Sequence, residues 1–270
     1  MLSLGVYFKR LKSIIIGILF IGFLPSFIYG FDQTINLQSY TFNGKTYDLF
    51  PGIFDKYAYS MTIFLGALIL GLVFAILFTF CTTLLPRFLK RMVYGILTLF
   101  ESIPDLFIVL SLQLLIVYIY QKTGWLISNV TVVYDDKIYL LPILVLSVLP
   151  TIQLFKITFL LLEEEKDKAY VNVAKSMGLG DYYILLRHVF RNVIFNLFLY
   201  FKTIFVFMLS NLFIMEYVFN IHGLMRIMLS PNIFVFIIST IMITIPFLLL
   251  FEAAQAMIDR ATGDRGEGNV

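Results

Sequence analysis

The stretch AKSMGLGDYYILLRHVFRN, residues 174–192, is one of the few strongly polar segments between the long apolar runs of this chain. Its pattern predicts two short helices separated by a glycine break. Gly178 is the residue type that ends helices in a left-handed conformation, and Asp181 is a residue type that caps the start of the next helix. The chain is therefore expected to turn sharply here before it continues into an apolar span.

The first of these two helices is amphipathic, because apolar residues recur along it at one-turn spacing. They are Ala169, Tyr170, Val173, Ala174 and Met177. The second helix repeats the pattern with Leu185, Leu186, Val189 and Phe190. An interfacial helix would lie on lipid, with its basic residues toward anionic headgroups. A docking helix would insert into a cytoplasmic partner, and the small Ala174 and bare Gly178 would permit the close backbone approach that such a contact needs.

The amino-acid composition indicates whether the rest of the chain folds in water or in a lipid bilayer. Hydrophobic residues make up 60% of the 270 residues, charged residues make up 14%, and the mean hydropathy is +0.92. Such a composition is typical of a protein that folds in a lipid bilayer. The net charge of +3 is too small to indicate nucleic-acid binding. The single cysteine, Cys81, excludes a disulfide within the chain and a cysteine metal cluster.

Six apolar segments are long enough to cross a bilayer, which takes about 20 helical residues. They lie at 13–30, 58–85, 92–120, 138–162, 193–217 and 232–256. Lysine and arginine are concentrated in alternate connections, namely 9–12, 87–91, 166–191 and 260–265. The positive-inside rule then puts both termini and residues 163–192 in the cytoplasm. We expect the first segment to be kept as a helix rather than removed as a signal peptide, because Ile28 and Tyr29 make a poor cleavage site.

Two extracytoplasmic segments have hairpin patterns. In YTFNGKTYDL, residues 40–49, Asn43-Gly44 stands between alternating residues, which is the pattern of a two-residue type I′ turn. In VTVVYDDKIYL, residues 130–140, Asp135-Asp136 predicts a second hairpin. Each segment is too small to bind a solute as a separate domain.

Three motifs resemble those of the permease subunits of ABC importers, in the dipeptide, oligopeptide and nickel branch of that family. Residues 170–192 are similar to its cytoplasmic EAA loop through Tyr170, Val171, Ala174, Lys175, Gly178, Leu179, Arg187, His188, Arg191 and Asn192. SIPDLF, residues 102–107, resembles the S-I-P-x-F of its third span, and EYVFNIHGLMRIM, residues 216–228, resembles its E-x-V-F-x-x-P-G-L-G-x-L segment. The chain departs from the general loop consensus at Asn172 and Val173, where Glu-Ala is usual.

The resemblance implies an all-α polytopic membrane protein with the fold of type I ABC importer permeases. Its loop would form a coupling helix seated in a cleft of an ATPase, with Tyr170, Val173, Ala174, Lys175, Met177, Gly178 and Leu179 as coupling residues. The chain has no G-x-x-x-x-G-K-[ST] phosphate loop, so two separate ATPase subunits would use ATP and Mg²⁺, and this chain would bind no cofactor. A second, related permease and an extracytoplasmic solute-binding protein would complete an importer of peptides or similar small solutes in a bacterial cytoplasmic membrane.

Ionisable side chains within apolar spans are costly and indicate function by default. The candidates for the solute pathway are Glu101, Asp105, Lys202 and Glu216. Glu101 and Lys202 fall at similar depth from the cytoplasmic loops, so we expect them to pair or to face a wet pathway together. A pair that only joins two helices would leave solute passage unaffected. No set of metal ligands and no nucleophile, base and orienting residue occur together, so we expect neither a metal site nor covalent chemistry.

The expected organisation has three parts. Residues 1–57 comprise the first span and a short extracytoplasmic loop, residues 58–257 a five-helix permease core with a coupling loop at 163–192, and residues 258–270 a disordered cytoplasmic tail. Two other classes of protein stay open. An ion-driven secondary carrier would show repeated halves and discontinuous spans, and a non-transporting membrane scaffold would tolerate loss of the intramembrane charges.

Overall fold

The computed structural model describes residues 38–42, 44–125, 128–132, 136–230 and 232–266, with side chains for all of these except 195, 199 and 254–266. The predicted first span, 13–30, therefore lies outside the described residues. The described parts of Met1–Met61 and His222–Val270 form one compact unit, and those of Thr62–Ile221 form the other. We refer to them as the smaller and the larger unit.

The described chain is mainly helical, with one two-stranded hairpin. In chain order its elements are β1 (Ser39–Phe42), β2 (Lys45–Asp48), α1 (Gly52–Thr83), α2 (Arg87–Glu101), α3 (Asp105–Thr123), α4 (Leu140–Lys166), α5 (Ala169–Ser176), α6 (Asp181–Ile184), a π-helical segment (Leu185–Val189), α7 (Phe190–Val218), α8 (Leu224–Ile227) and α9 (Ile233–Gly266). Five of these described helices, α1, α3, α4, α7 and α9, are long and apolar enough to cross a membrane. They correspond to the second through sixth predicted spans.

In the third predicted span, 92–120, the proline at 104 predicts a kinked helix, but the structure has two separate helices. α2 ends at Glu101, and α3 begins at Asp105. Pro104 lies between them in an extended conformation, with φ −57° and ψ 136°. Proline lacks an N–H group and its ring disfavours a helical residue before it, so the helix ends here rather than bending. α2 is amphipathic and contributes none of the buried side chains in the described chain, so the apolar span of this region is α3.

The core of the larger unit lies between α4 and α7, which share the most extensive helix–helix contact in the described chain. α4 buries side chains along nearly its whole length. Phe155 and Phe159 stack on one another along α4, with 5.8 Å between ring centroids. From α1, Phe64 packs edge-on against Phe205 of α7, with 4.7 Å between centroids. The second of these contacts joins α1 to α7.

The first predicted hairpin is confirmed. β1 and β2 pair antiparallel, with Tyr40 opposite Tyr47 and Phe42 opposite Lys45. Gly44 has a φ of +76°, the positive value that a type I′ turn requires. The other predicted turn residue, 43, lies outside the described residues.

The hairpin packs around His222 within the smaller unit. Phe42 stacks parallel to the His222 ring at a centroid distance of 3.9 Å, and Tyr40 Oη lies 3.1 Å from His222 Nε2. Burial, with a smaller contribution from Tyr47, raises the pKa of Tyr40 to about 12. The Tyr40 hydroxyl therefore keeps its proton at neutral pH and is available for this hydrogen bond.

The second predicted hairpin, 130–140, is wrong for its described residues, 130–132 and 136–140, which contain no strand. The Val132 N–H donates to Phe219 O at 2.9 Å, and Asn220 Nδ2 donates to Val132 O at 3.1 Å. The backbone at Val132 thus pairs with residues just beyond α7 rather than with a second strand. Such a long-range pairing leaves no trace in the local sequence pattern.

The prediction of a disordered tail over 258–270 is wrong for residues 258–266, because α9 continues to Gly266. The sequence FEAAQAM, residues 251–257, is rich in strong helix formers. Extending an existing helix costs far less than starting one. Residues 267–270 lie outside the described residues.

Two glycines allow α1 to approach α4 closely. A Cβ atom added at Gly66 would lie 3.0 Å from Ile143 Cδ1, and one added at Gly71 would lie 3.4 Å from Thr151 Oγ1. Small residues at helix crossings are what permits close packing of helices in membranes. These positions therefore determine the spacing between the two helices.

We expect Gly66→Leu to destabilise the fold by about 1–3 kcal/mol, because the added side chain would overpack the contact with α4. The measurement is the thermal unfolding midpoint of the detergent-solubilised protein. Gly95→Leu is the matched control, since a Cβ at Gly95 meets no atom within 4 Å in the described part of the chain. Equal loss of stability in both variants would contradict the close approach of α1 and α4.

Candidate functional site

The predicted helix end at Gly178 is confirmed in the loop between α4 and α7. Gly178 has a φ of +79°. The Leu179 N–H donates to Ala174 O at 3.3 Å, and the Gly178 N–H donates to Lys175 O at 3.0 Å. This pair of bonds is the Schellman arrangement, which satisfies the last carbonyl groups of a helix. α5 is thus a complete helix of two turns with a defined end.

α5 has two apolar faces rather than the single one that its spacing predicts. Val171 and Ala174 are 3% and 9% exposed. They belong to a buried apolar cluster with Leu162, Ile184, Leu185, Val189 and Val193. Val173 and Met177, one helical turn apart, are instead 60% and 75% exposed. We call this pair the exposed face of α5.

The prediction that Ala174 offers its small side chain to a partner is therefore wrong. Ala174 faces the helices of its own chain, and its size permits α5 to pack closely against them. The spacing of apolar residues was compatible with either direction. The inward direction is selected because Val171 and Ala174 together meet the apolar surface of the loop's second helix.

The connection from α5 to α6 is reinforced by an ion pair. Lys175 Nζ lies 3.2 Å from Asp181 Oδ1. Asp181 is the first residue of α6 and Gly180 occupies the capping position, so the prediction that Asp181 caps this helix is wrong. A carboxylate in the first turn still interacts favourably with the helix dipole. Leu179, the remaining coupling candidate, is 37% exposed beside this connection.

The second helix of the loop contains a π-helical segment, Leu185–Val189, which leads into α7. Leu185 and Val189 are buried as predicted, whereas Leu186 is 55% exposed. A π turn inserts one extra residue into a helix and changes the direction of the side chains that follow it, often at functional sites. The predicted apolar face is therefore only partly confirmed.

A buried carboxylate that the sequence analysis did not single out lies behind α5. The side chain of Glu165, near the end of α4, is 4% exposed. It accepts hydrogen bonds from Tyr170 Oη at 2.9 Å and from Asn192 Nδ2 at 3.0 Å. Lys168 Nζ lies 2.6 Å from its second oxygen. The one sequence signal was the run of three glutamates at 163–165, which does not reveal which of them is buried.

Tyr170, a predicted coupling residue, is part of this cluster rather than of the exposed face. Burial, together with the hydrogen bond to Glu165, raises the pKa of Tyr170. The Tyr170 hydroxyl consequently stays protonated at neutral pH and acts as a donor to the carboxylate.

A cavity of about 560 Å³ borders α5 on the side away from Tyr170. Asn172 and Lys175 of α5 line it, together with Thr83 at the end of α1 and Lys166 at the end of α4. α5 is thus held by hydrogen bonds on the Glu165 side and incompletely packed on the other.

The predicted pairing of Glu101 with Lys202 is wrong. Glu101, at the end of α2, forms an ion pair with Lys156 of α4. The Lys156 ammonium also lies 5.3 Å from the ring centroid of Tyr94, within cation–π range. Lys202 is exposed on α7. Equal depth along two helices does not specify their rotation, and the rotation of α2 directs Glu101 toward α4.

The two remaining charge candidates are less accessible than Lys202. Asp105 is half-buried at the start of α3 and borders, with Asn211 of α7, a cavity of about 20 Å³. Glu216 is fully buried on α7. The Ile221 N–H donates to Glu216 O at 2.8 Å, which helps to end that helix. No group of three or more potential metal ligands occurs among the described residues.

The five long apolar helices of the described chain define a multi-pass membrane protein. The loop between α4 and α7 carries a short helix, α5, with two exposed apolar side chains. The family described as "Binding-protein-dependent transport system inner membrane component" matches residues 67–264. The chain therefore belongs to this family, and it is a permease subunit of an ABC importer. Members of the family assemble with ATPase and binding-protein partners and are themselves the membrane component. No curated protein matches the chain.

We expect Glu101→Gln and Lys156→Met each to lower the thermal unfolding midpoint, because each leaves one charge without its ion-pair partner. The effect should correspond to about 1 kcal/mol or less, since the Glu101 side chain is 35% exposed. The exchanged pair, Glu101→Lys with Lys156→Glu, should recover most of the loss.

Lys202→Met is the control, and it should not reproduce the effect of Lys156→Met. A double exchange that is no more stable than either single reversal would contradict the observed pair.

Proposed function

We propose that this chain forms half of the solute pathway of an ATP-driven importer and that α5 is the coupling helix that docks into a separate ATPase subunit. The observation that carries the proposal is the exposed face of α5, Val173 and Met177. Exposed apolar side chains one helical turn apart are the anchors of a helix that lies in a groove of a partner. Both lie on a short helix with a defined end, so they are presented in a fixed direction.

The charges of the loop favour docking over the alternative of a helix lying on lipid. An interfacial helix attracts anionic headgroups through free lysine and arginine side chains. Lys175 is paired with Asp181, and Lys168 is paired with Glu165. These two lysines beside α5 are therefore paired within the protein, which weakens their attraction to lipid and favours the exposed apolar pair as the contact surface.

We infer a complete assembly of two permeases, two ATPase subunits that use ATP and Mg²⁺, and an extracytoplasmic solute-binding protein. The second permease is a related chain. The alternation of basic connections supports six spans in this subunit, with both termini in the cytoplasm of a bacterial cell. The coupling loop then meets the ATPases on the cytoplasmic side.

The solutes that fit this proposal are peptides or similar small molecules. The support is the resemblance of residues 102–107, 170–192 and 216–228 to the dipeptide, oligopeptide and nickel branch. Asp105 and Asn211 place polar groups between helices of the larger unit, where a hydrated solute would need partners.

We expect Val173→Asp with Met177→Asp to reduce the amount of ATPase that co-purifies from native membranes by about tenfold or more. Two charges forced into an apolar cleft would cost well over the 1.4 kcal/mol that a tenfold loss of affinity requires. The measurement is the ratio of ATPase to permease after solubilisation.

Asn172→Asp is the matched control, because it adds a charge to the cavity side of the same helix. It should retain the ATPase. If the double variant also retains it, or if no ATPase accompanies the natural chain, the docking role of α5 is wrong.

A further inference from the structure

We propose that Glu165 is the positioning residue that ties α5 to both central helices of the larger unit, so that movement of α5 is passed to α4 and α7 together. This inference rests on the proposed coupling role of α5. Glu165 acts in it through Lys168, Tyr170 and Asn192, and contacts neither solute nor nucleotide.

One carboxylate connects three helices. Glu165 belongs to α4, Tyr170 to the first turn of α5 and Asn192 to the first turn of α7. Oε1 of Glu165 accepts from both Tyr170, at 2.9 Å, and Asn192, at 3.0 Å. Asn192 Nδ2 also lies 3.4 Å from Tyr170 Oη, which closes a triangle of contacts. Lys168, which immediately precedes α5, holds the other oxygen at 2.6 Å.

The apolar contacts of α5 join it to the same two helices, through Leu162 of α4 and Val193 of α7, but they are less directional. Val171 and Ala174 are buried among aliphatic side chains, and such contacts depend on area rather than direction. The cavity beside Asn172 and Lys175 leaves space on that side of α5. Hydrogen bonds weaken steeply when their angle changes. The Glu165 cluster is therefore the contact that resists tilting of α5 relative to α4 and α7.

The carboxylate is chemically suited to this position. When ionised it only accepts hydrogen bonds, and its two oxygens have room for several donors. Lys168, Tyr170 and Asn192 all present donors to it. Glu165→Gln would not break the connection, because its amide oxygen could still accept from both Tyr170 and Asn192, which share Oε1. Glu165→Met is also unbranched and similar in volume, but it offers no oxygen acceptor, so it breaks the connection with little change in packing.

Glu163 provides a matched control two residues earlier in α4. Its carboxylate lies 3.1 Å from Lys90 Nζ and 2.9 Å from Lys166 Nζ. These partners belong to α2 and α4 rather than to α5. Glu163→Met therefore makes the same substitution and removes ion pairs without disturbing the connection between α4, α5 and α7.

The experiment is hydrogen exchange of the purified permease–ATPase complex, with and without ATP, Mg²⁺ and vanadate to lock the ATPases closed. In the natural chain we expect the locked state to alter exchange rates in α5 and also at the start of α7. Glu165→Met should retain the ATPase and the response of α5, while the response at the start of α7 falls about fivefold or more, the lower end of typical coupling between sites. Glu163→Met should behave like the natural chain.

Tyr170→Phe is a second test in case Glu165→Met does not fold, because it removes one donor and keeps the ring. It should weaken the response of α7 in the natural background, but cause no further loss when combined with Glu165→Met.

An unchanged response of α7 in the Glu165→Met complex overturns the positioning role. An equal loss in Glu163→Met overturns it too, as does a natural complex whose α7 does not respond. If Glu165→Met does not fold, an unchanged response in Tyr170→Phe has the same consequence. None of these results contradicts the docking of α5 into the ATPase. Absence of the ATPase from the natural complex would instead overturn the proposed function as well.

Discussion

The arrangement of the loop within the larger unit depends on a buried carboxylate that accepts from three side chains. A buried acceptor left without a partner costs about 1–3 kcal/mol. The Glu165 carboxylate meets Lys168 and Tyr170 at the start of α5 and Asn192 at the start of α7. Each partner is consequently held where the carboxylate requires it. The short helix α5 acquires in this way an orientation that its two turns could not maintain alone.

The same requirement explains the other polar features of the helical core. A bilayer provides no water to satisfy backbone or charged groups, so each must find a partner within the protein. Where Pro104 interrupts the predicted third span, two helices replace one. Glu101, at the end of the first of them, pairs with Lys156. At the end of α7, Asn220 takes a φ of +54° and the helix closes with bonds to its own carbonyl groups.

Family membership, the shape of the loop and its charges together support the proposed role of α5. Membership of the importer family identifies the chain as a membrane component that works with an ATPase. The loop between α4 and α7 contains a helix whose inner face is buried and whose outer face exposes Val173 and Met177. Lys175, near the end of this helix, is paired with Asp181. We propose that the outer face makes an apolar contact with the ATPase and that the helix passes its displacement to the helices behind it.

The sequence by itself determined the features that depend on local chemistry. Five apolar spans of the described chain, the hairpin at 39–48 and the helix end at Gly178 follow from hydropathy and from the need for a positive φ at glycine. Tertiary structure alone decided which side of α5 faces outward, which lysine Glu101 meets and which glutamate of 163–165 is buried. Those outcomes depend on the rotation of each helix about its own axis. Rotation is set by packing between segments far apart in the chain, and residue spacing does not encode it.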